Sequence, residues 1–200
     1  MIRHGLFIFL IIYFLLTASC STKIISNNYY QEQKENLDNI ERSYEKLNPI
    51  NPFSLAFTDK EFRIISLEMI SDTLTRIYEF NVSEKRLADT LLKYNYDTAG
   101  IYYLLRKMQQ TKVTWINNFD YYVNDQPQQL IILSIKPVTI RYIFSPPKYI
   151  ALAYFRTEQF FDEKGRLLDS RRTKQLRKIK GQVFYKITDR ICYTITEKYR

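Results

Sequence analysis

The chain has 200 residues, 30 Lys and Arg against 21 Asp and Glu for a formal net charge of +9, and 17 Tyr with 13 Phe. That length suits one domain plus a leader, and it is too short for two ordinary domains of about 100–150 residues each. A composition 46% hydrophobic and 26% charged is globular, while four Gly, six Pro and two Cys exclude a collagen-like repeat, a disulfide-dense scaffold and a four-cysteine zinc site.

The first element is a leader. Arg3 and His4 precede Leu6–Leu16, an unbroken apolar run. A bilayer-spanning helix needs about 20 apolar residues; this run has the length of a signal-peptide core. It ends in Leu16-Thr17-Ala18-Ser19-Cys20, which resembles the lipobox of bacterial lipoproteins, with Thr17 where Leu is commonest. The resemblance covers residues 1–22. It implies that residues 1–19 are a cleaved signal peptide and that Cys20 is lipidated, anchoring the chain in a membrane. Ser21 and Thr22 follow with no Asp, and no acidic cluster of the kind that directs many Bacteroidetes lipoproteins to the surface. The implied destination is therefore the outer membrane, facing the periplasm.

Cleavage would remove His4, the single histidine, and Arg3, leaving 29 cations against 21 anions, or +8. A mature chain without imidazole excludes Ser-His-Asp and Cys-His catalysis and any histidine-ligated metal. Cys192 would be the one remaining thiol. These exclusions lead to the expectation of a non-enzymatic protein without cofactor.

Residues 20–28 read as a tether and 29–200 as a single periplasmic domain. Tyr30, Leu37, Ile40, Tyr44 and Leu47 fall on one helical stripe, with Asn27 or Asn28 as the cap. Asn48–Pro52 stops that helix. Strands are expected at Phe53–Phe57, Glu61–Ile70 and Leu74–Phe80. Two helices follow. The first is capped by Ser83 with Leu87, Ala88, Leu91 and Leu92 inward; the second is capped by Asp97 or Thr98 with Ile101, Leu104, Leu105 and Met108 inward. From Asn118 the chain reads as strands: Leu130–Ile135, Val138–Phe144 up to Ser145-Pro146-Pro147, Ile150–Phe155, and Val183–Ile195 with a break at Thr188-Asp189. Phe161–Leu167 is a hairpin signal, with Gly165 supplying a left-handed residue. This order predicts an α+β fold: a mostly antiparallel, curved sheet packed by an N-terminal helix and two central helices.

The densest charge lies in residues 164–180, where eight cations face the single carboxylate of Asp169, a local +7. The segment is expected to project as a hairpin arm, or to form a short helix with Leu168, Leu176 and Ile179 inward. Arg171, Arg172, Lys174, Arg177 and Lys178 are its candidate binding residues. Nucleic acid is the default partner of such a patch, but an exported protein meets none. Anionic head groups or an acidic envelope protein remain; the plainer reading is a solvated edge that resists aggregation.

Two alternatives compete with a binding or scaffolding role. A cup formed by sheet and helices could take a small ligand or glycan, with the Tyr94, Tyr96, Tyr102, Tyr103 and Tyr121, Tyr122 clusters as sugar platforms or as half-buried structural rings. A hydrolase could use Glu158, Asp162 and Glu163, although a hairpin turn keeps carboxylates wet. Finally, Asp72-Thr73-Leu74, Asp89-Thr90-Leu91 and Asp97-Thr98-Ala99 resemble the Asp-Ser/Thr-apolar acceptor of Bacteroidetes O-glycosylation, which implies Thr73 and Thr98 as candidate acceptors and places Thr90 inside a helix.

Overall fold

The computed structural model describes residues 2–123, 126–136 and 148–197, with the backbone course alone for residues 2–23. Its elements are α1 (Ile2–Leu47), β1 (Phe53–Phe57), β2 (Ile64–Ile70), β3 (Thr75–Asn81), α2 (Lys85–Lys93), α3 (Thr98–Thr111), β4 (Val113–Val123), β5 (Gln126–Ile135), β6 (Tyr149–Phe155), β7 (Phe160–Phe161), β8 (Leu167–Leu168), β9 (Lys178–Ile179), β10 (Gln182–Val183), β11 (Tyr185–Lys186) and β12 (Ile191–Thr196). The fold is α+β. Eight strands form an open antiparallel sheet in the order β11-β12-β6-β5-β4-β1-β2-β3. By contact the chain divides into two compact units, 1–34 and 35–200. The first is the N-terminal part of α1, in which Ser26 and Tyr30 are buried; the second holds all the other elements.

The expected stripe is observed: Leu37, Ile40, Tyr44 and Leu47 are buried. The cap is not, since α1 runs through Asn27 and Asn28. Tyr44 stands edge-on to Phe53 and donates a hydrogen bond to its carbonyl. Phe53, Leu55 and Phe57 alternate onto this face of the sheet. Gly100 marks the close approach of α1 and α3: a Cβ there would come within 2.8 Å of Leu47 Cδ2. Asp97 caps α3, accepting from the Gly100 amide at 2.9 Å, so Thr98 is the first residue of the helix. Ser83 does not cap α2. That role falls to Glu84, while the Ser83 hydroxyl donates to Asn81 Oδ1. Leu87 and Leu91 are buried but Leu92 is 67% exposed, because α2 presents only a narrow stripe to the sheet.

β4 starts five residues earlier than Asn118. Lys112 adopts φ 56 as the left-handed cap of α3 and turns the chain directly into Val113. The Val138–Phe144 strand and the Ser145-Pro146-Pro147 break lie outside the described residues. Strands β5 and β6 are buried on both faces from Leu130 to Ile135 and from Ile150 to Phe155. A sheet whose central strands are apolar on both faces needs two covers. The helices supply one, and the second is the basic segment.

Ala56, Trp115, Ile132, Ala153, Phe155 and Cys192 line the other face of the sheet, and Leu167 and Phe184 pack onto them. Residues 160–184 are therefore neither a projecting arm nor a helix. They form a strap across the sheet, apolar inward and cationic outward. The strap is two short hairpins and a turn. In the first hairpin, Asp162 accepts from the amides of Lys164 and Arg166 while Gly165, at φ 74, turns the chain. In the second, Lys180 and Gly181 have φ 51 and 77, the two left-handed residues of a type I′ loop joining β9 to β10. The amides of Leu167 and Lys186 bond the carbonyls of Phe184 and Gly165, tying the strap to the last strands. Trp115 crosses the sheet beneath it, its indole donating to Ser54 Oγ at 3.0 Å.

Candidate functional site

Between β8 and β9 the strap makes an outward turn. The Asp169 amide bonds the Gln175 carbonyl, Ser170 Oγ accepts from the Thr173 amide at 3.0 Å, and the Lys174 amide bonds the Ser170 carbonyl. This closed turn holds Arg171, Arg172 and Lys174 at its tip, with Lys178 beside it on β9; all four are exposed. None pairs with a carboxylate among the described residues. The hollow between this turn and the first hairpin, about 650 Å³, is lined by the cations Lys164, Arg171, Lys174 and Lys186, by the carboxylates Asp162, Glu163 and Asp189, and by Phe160 and Phe161.

Arg177 differs from the other four. Its side chain is 9% exposed. The guanidinium donates to Asp169 Oδ1 at 3.2 Å, to the Asp169 carbonyl and to Gln159 Oε1 at 2.8 Å, and lies 5.2 Å from the centre of the Tyr121 ring. The alternation that puts Leu176 and Lys178 on one side turns Arg177 toward the sheet, where it pins the turn. It is a structural cation, buried away from the four exposed ones. Lys180 is also drawn in: its ammonium lies 4.2 Å from the Trp115 ring centre and 4.3 Å from that of Phe119. Burial lowers its pKa, and Glu68 opposes that shift.

A second concavity lies on the helix side of the sheet. It is a groove of about 530 Å³ between α1 and the β4–β5–β6 strands. Glu41 and Glu45 form its helix wall; Asn118, Asp120 and Gln129 form its floor, and Arg156 stands at its end. Glu45 pairs with Arg156 at 3.5 Å and Glu41 with Arg190 at 3.8 Å. Burial and then the Glu45 charge raise the Glu41 pKa, outweighing Arg190. These residues were not singled out in the sequence. The signal that could have found them is Asn117-Asn118-Phe119-Asp120, three residues of strand-averse type inside an 11-residue strand.

The remaining candidates are placed as follows. Glu158 and Glu163 are exposed. Burial opposes ionisation of Asp162, but hydrogen bonds from the Arg166 amide and guanidinium outweigh it and hold the carboxyl below its usual range. Asp162 is thereby committed to the hairpin. Among the described residues no group of three or more His, Cys, Asp and Glu side chains could hold a metal ion. The Tyr94 hydroxyl bonds Tyr78 at 2.8 Å and that of Tyr96 bonds the Pro52 carbonyl at 3.1 Å, structural uses that link helices to strands. Thr73 is exposed in the β2–β3 turn. The Thr98 hydroxyl is buried without a hydrogen-bond partner among the described residues, and Thr90 lies within α2. Cys20 falls within α1. Among the described residues no helix is long and apolar enough to cross a membrane. Comparison with known protein families, curated proteins and solved structures finds no match.

Proposed function

We propose that this chain is a lipid-anchored envelope protein of the outer membrane, facing the periplasm. In this reading its role is non-catalytic binding, and the strap's basic turn is the contact surface for anionic head groups. The observation that carries the reading is the arrangement of four exposed cations: Arg171, Arg172 and Lys174 on a turn closed by its own hydrogen bonds, and Lys178 beside it on β9. A folded edge that needed only solubility would gain nothing from concentrating like charges on one rigid tip. Each cation near an anionic surface contributes about 1 kcal/mol, decaying over about 8 Å at physiological ionic strength. Cys20 would supply the anchor and the turn the orientation.

The test replaces all four cations with Gln and measures binding to phosphatidylglycerol and to phosphatidylcholine vesicles. Wild type is expected to prefer the anionic vesicles and to lose that preference as salt rises. The fourfold variant should bind them more weakly by up to about a thousandfold while melting like wild type. Equal binding by both would reduce the turn to a solubilising edge, and a preference for an acidic envelope protein over the vesicles would move the contact to protein. Separately, Cys20→Ala should abolish membrane partitioning that resists high-salt washing.

A further inference from the structure

We infer that the groove between α1 and the sheet is a binding site for a neutral saccharide. It lies on the helix face and is independent of the basic turn, whose strap covers the opposite face. Its floor is built from residues that a strand does not favour. Asn118 and Asp120 occupy alternate positions of β4, on the face that carries Ile116, and pair across the ladder with Ile131 and Gln129. Asn and Asp are depleted from strands, where β-branched and aromatic residues pack better. The neighbouring strand β1, which does not line the groove, shows what this chain uses when it only needs a strand: Phe-Ser-Leu-Ala-Phe. Half-buried amides from β4 and β5 that face a groove are thus unexplained by folding.

The charges of the groove narrow the ligand class. Glu41 and Glu45 are already matched by Arg190 and Arg156, so Asp120 carries the one carboxylate of the floor without an ion pair among the described residues. An anionic ligand would meet three carboxylates. A polyamine would find two of the three taken. A neutral ligand with several hydroxyls fits better, because each hydroxyl both donates and accepts, as the amides of Asn118 and Gln129 do, with Asp120 accepting and Arg156 donating. The groove also has a suitable size, since about 530 Å³ lies within the roughly 300–1,000 Å³ of small-molecule sites. The floor is also rigid, since it belongs to the two longest strands of the sheet.

The full-length protein in a sugar-free zwitterionic detergent is examined by saturation-transfer NMR with glucose, N-acetylglucosamine, maltose and lactose at millimolar concentration, and with spermidine as a charged probe. At least one saccharide should receive saturation while spermidine does not. Asn118→Thr and Asp120→Thr place a strand-favouring residue at each position. Both variants should melt at or above the wild-type temperature and should weaken saccharide binding at least tenfold. The inference is overturned if no saccharide receives saturation, if only a charged probe does, or if binding survives both substitutions. It is equally overturned if both variants melt below wild type, because the two side chains would then be serving the fold. None of these results bears on the vesicle test of the basic turn.

Discussion

Arg177 separates a cation that builds the strap from the cations it displays. Arg177→Met keeps the buried aliphatic stem and removes the guanidinium. The loss comprises two hydrogen bonds to half-buried acceptors, Gln159 Oε1 and the Asp169 carbonyl, at about 1 kcal/mol each. To these are added a cation–π contact with Tyr121 of about 0.5–1 kcal/mol and an ion pair with Asp169. That pair is discounted to about 0.5 kcal/mol because Asp169 is 54% exposed. The expected destabilisation is about 3 kcal/mol, a fall of roughly 6–12 °C in melting temperature for a chain of this size. Arg171→Gln, Arg172→Gln, Lys174→Gln and Lys178→Gln should each fall within about 0.5 kcal/mol of wild type. Thermal melts followed by circular dichroism read both, and limited proteolysis should cut Arg177→Met first within 169–176. If Arg177→Met melts with the four exposed variants, Arg177 does not pin the turn and the division of the basic segment is mistaken.

Glu41→Gln tests the groove's electrostatics. A carboxyl whose pKa is raised on folding holds its proton more tightly in the folded chain, so stability falls as pH rises through the folded pKa, and the deficit is complete at neutral pH. Net of the lost Arg190 pairing, the variant should melt at or above wild type at pH 7, by up to about 1 kcal/mol, and lose that advantage below about pH 4; a lower melt at pH 7 would reverse the assignment. Burial pushes the Cys192 thiol up to about 12 against the smaller opposing effects of Arg177 and Lys186, so labelling by a thiol reagent at pH 8 should be at least roughly a thousandfold slower in the native chain than in denaturant. Gly165→Ala should cost about 1–2 kcal/mol by backbone strain alone, since the added Cβ meets only Lys186 Cβ at 3.8 Å; an unchanged melt would mean that the hairpin adjusts freely.

The helices and most strands were legible because their patterns are local. The 3.6-residue stripe of α1 and the spacing of Ile101, Leu104, Leu105 and Met108 in α3 each state which face is buried. The strap was not legible as a cover, because its inward residues Leu167, Leu168, Arg177, Ile179 and Phe184 follow no single period. Hairpins and a turn change the phase between them, and an inward Arg disguises the apolar side. The double-sided burial of Leu130–Ile135 and Ile150–Phe155 was the hint that a second cover existed. The groove was illegible for another reason. Asp120 and Gln129 meet through the antiparallel register of β4 and β5, and Glu41, far from both in sequence, joins them only because the helix is laid across those strands.

The clasp between Trp115 and Ser54 makes the protein its own optical probe. β1 and β4 are joined by two residue pairs, Leu55–Ile116 and Ala56–Trp115, whereas β2 and β3 are joined by seven. The seam is narrow, as short as the β11–β12 pairing at the sheet's edge, and it divides the β1–β2–β3 meander from the strands made later in the chain, so native-state hydrogen exchange will separate the two halves there. The single tryptophan of the chain stands on that line, with the Lys180 ammonium against its ring. Its fluorescence therefore responds to parting of the seam and to lifting of the strap, with no label added.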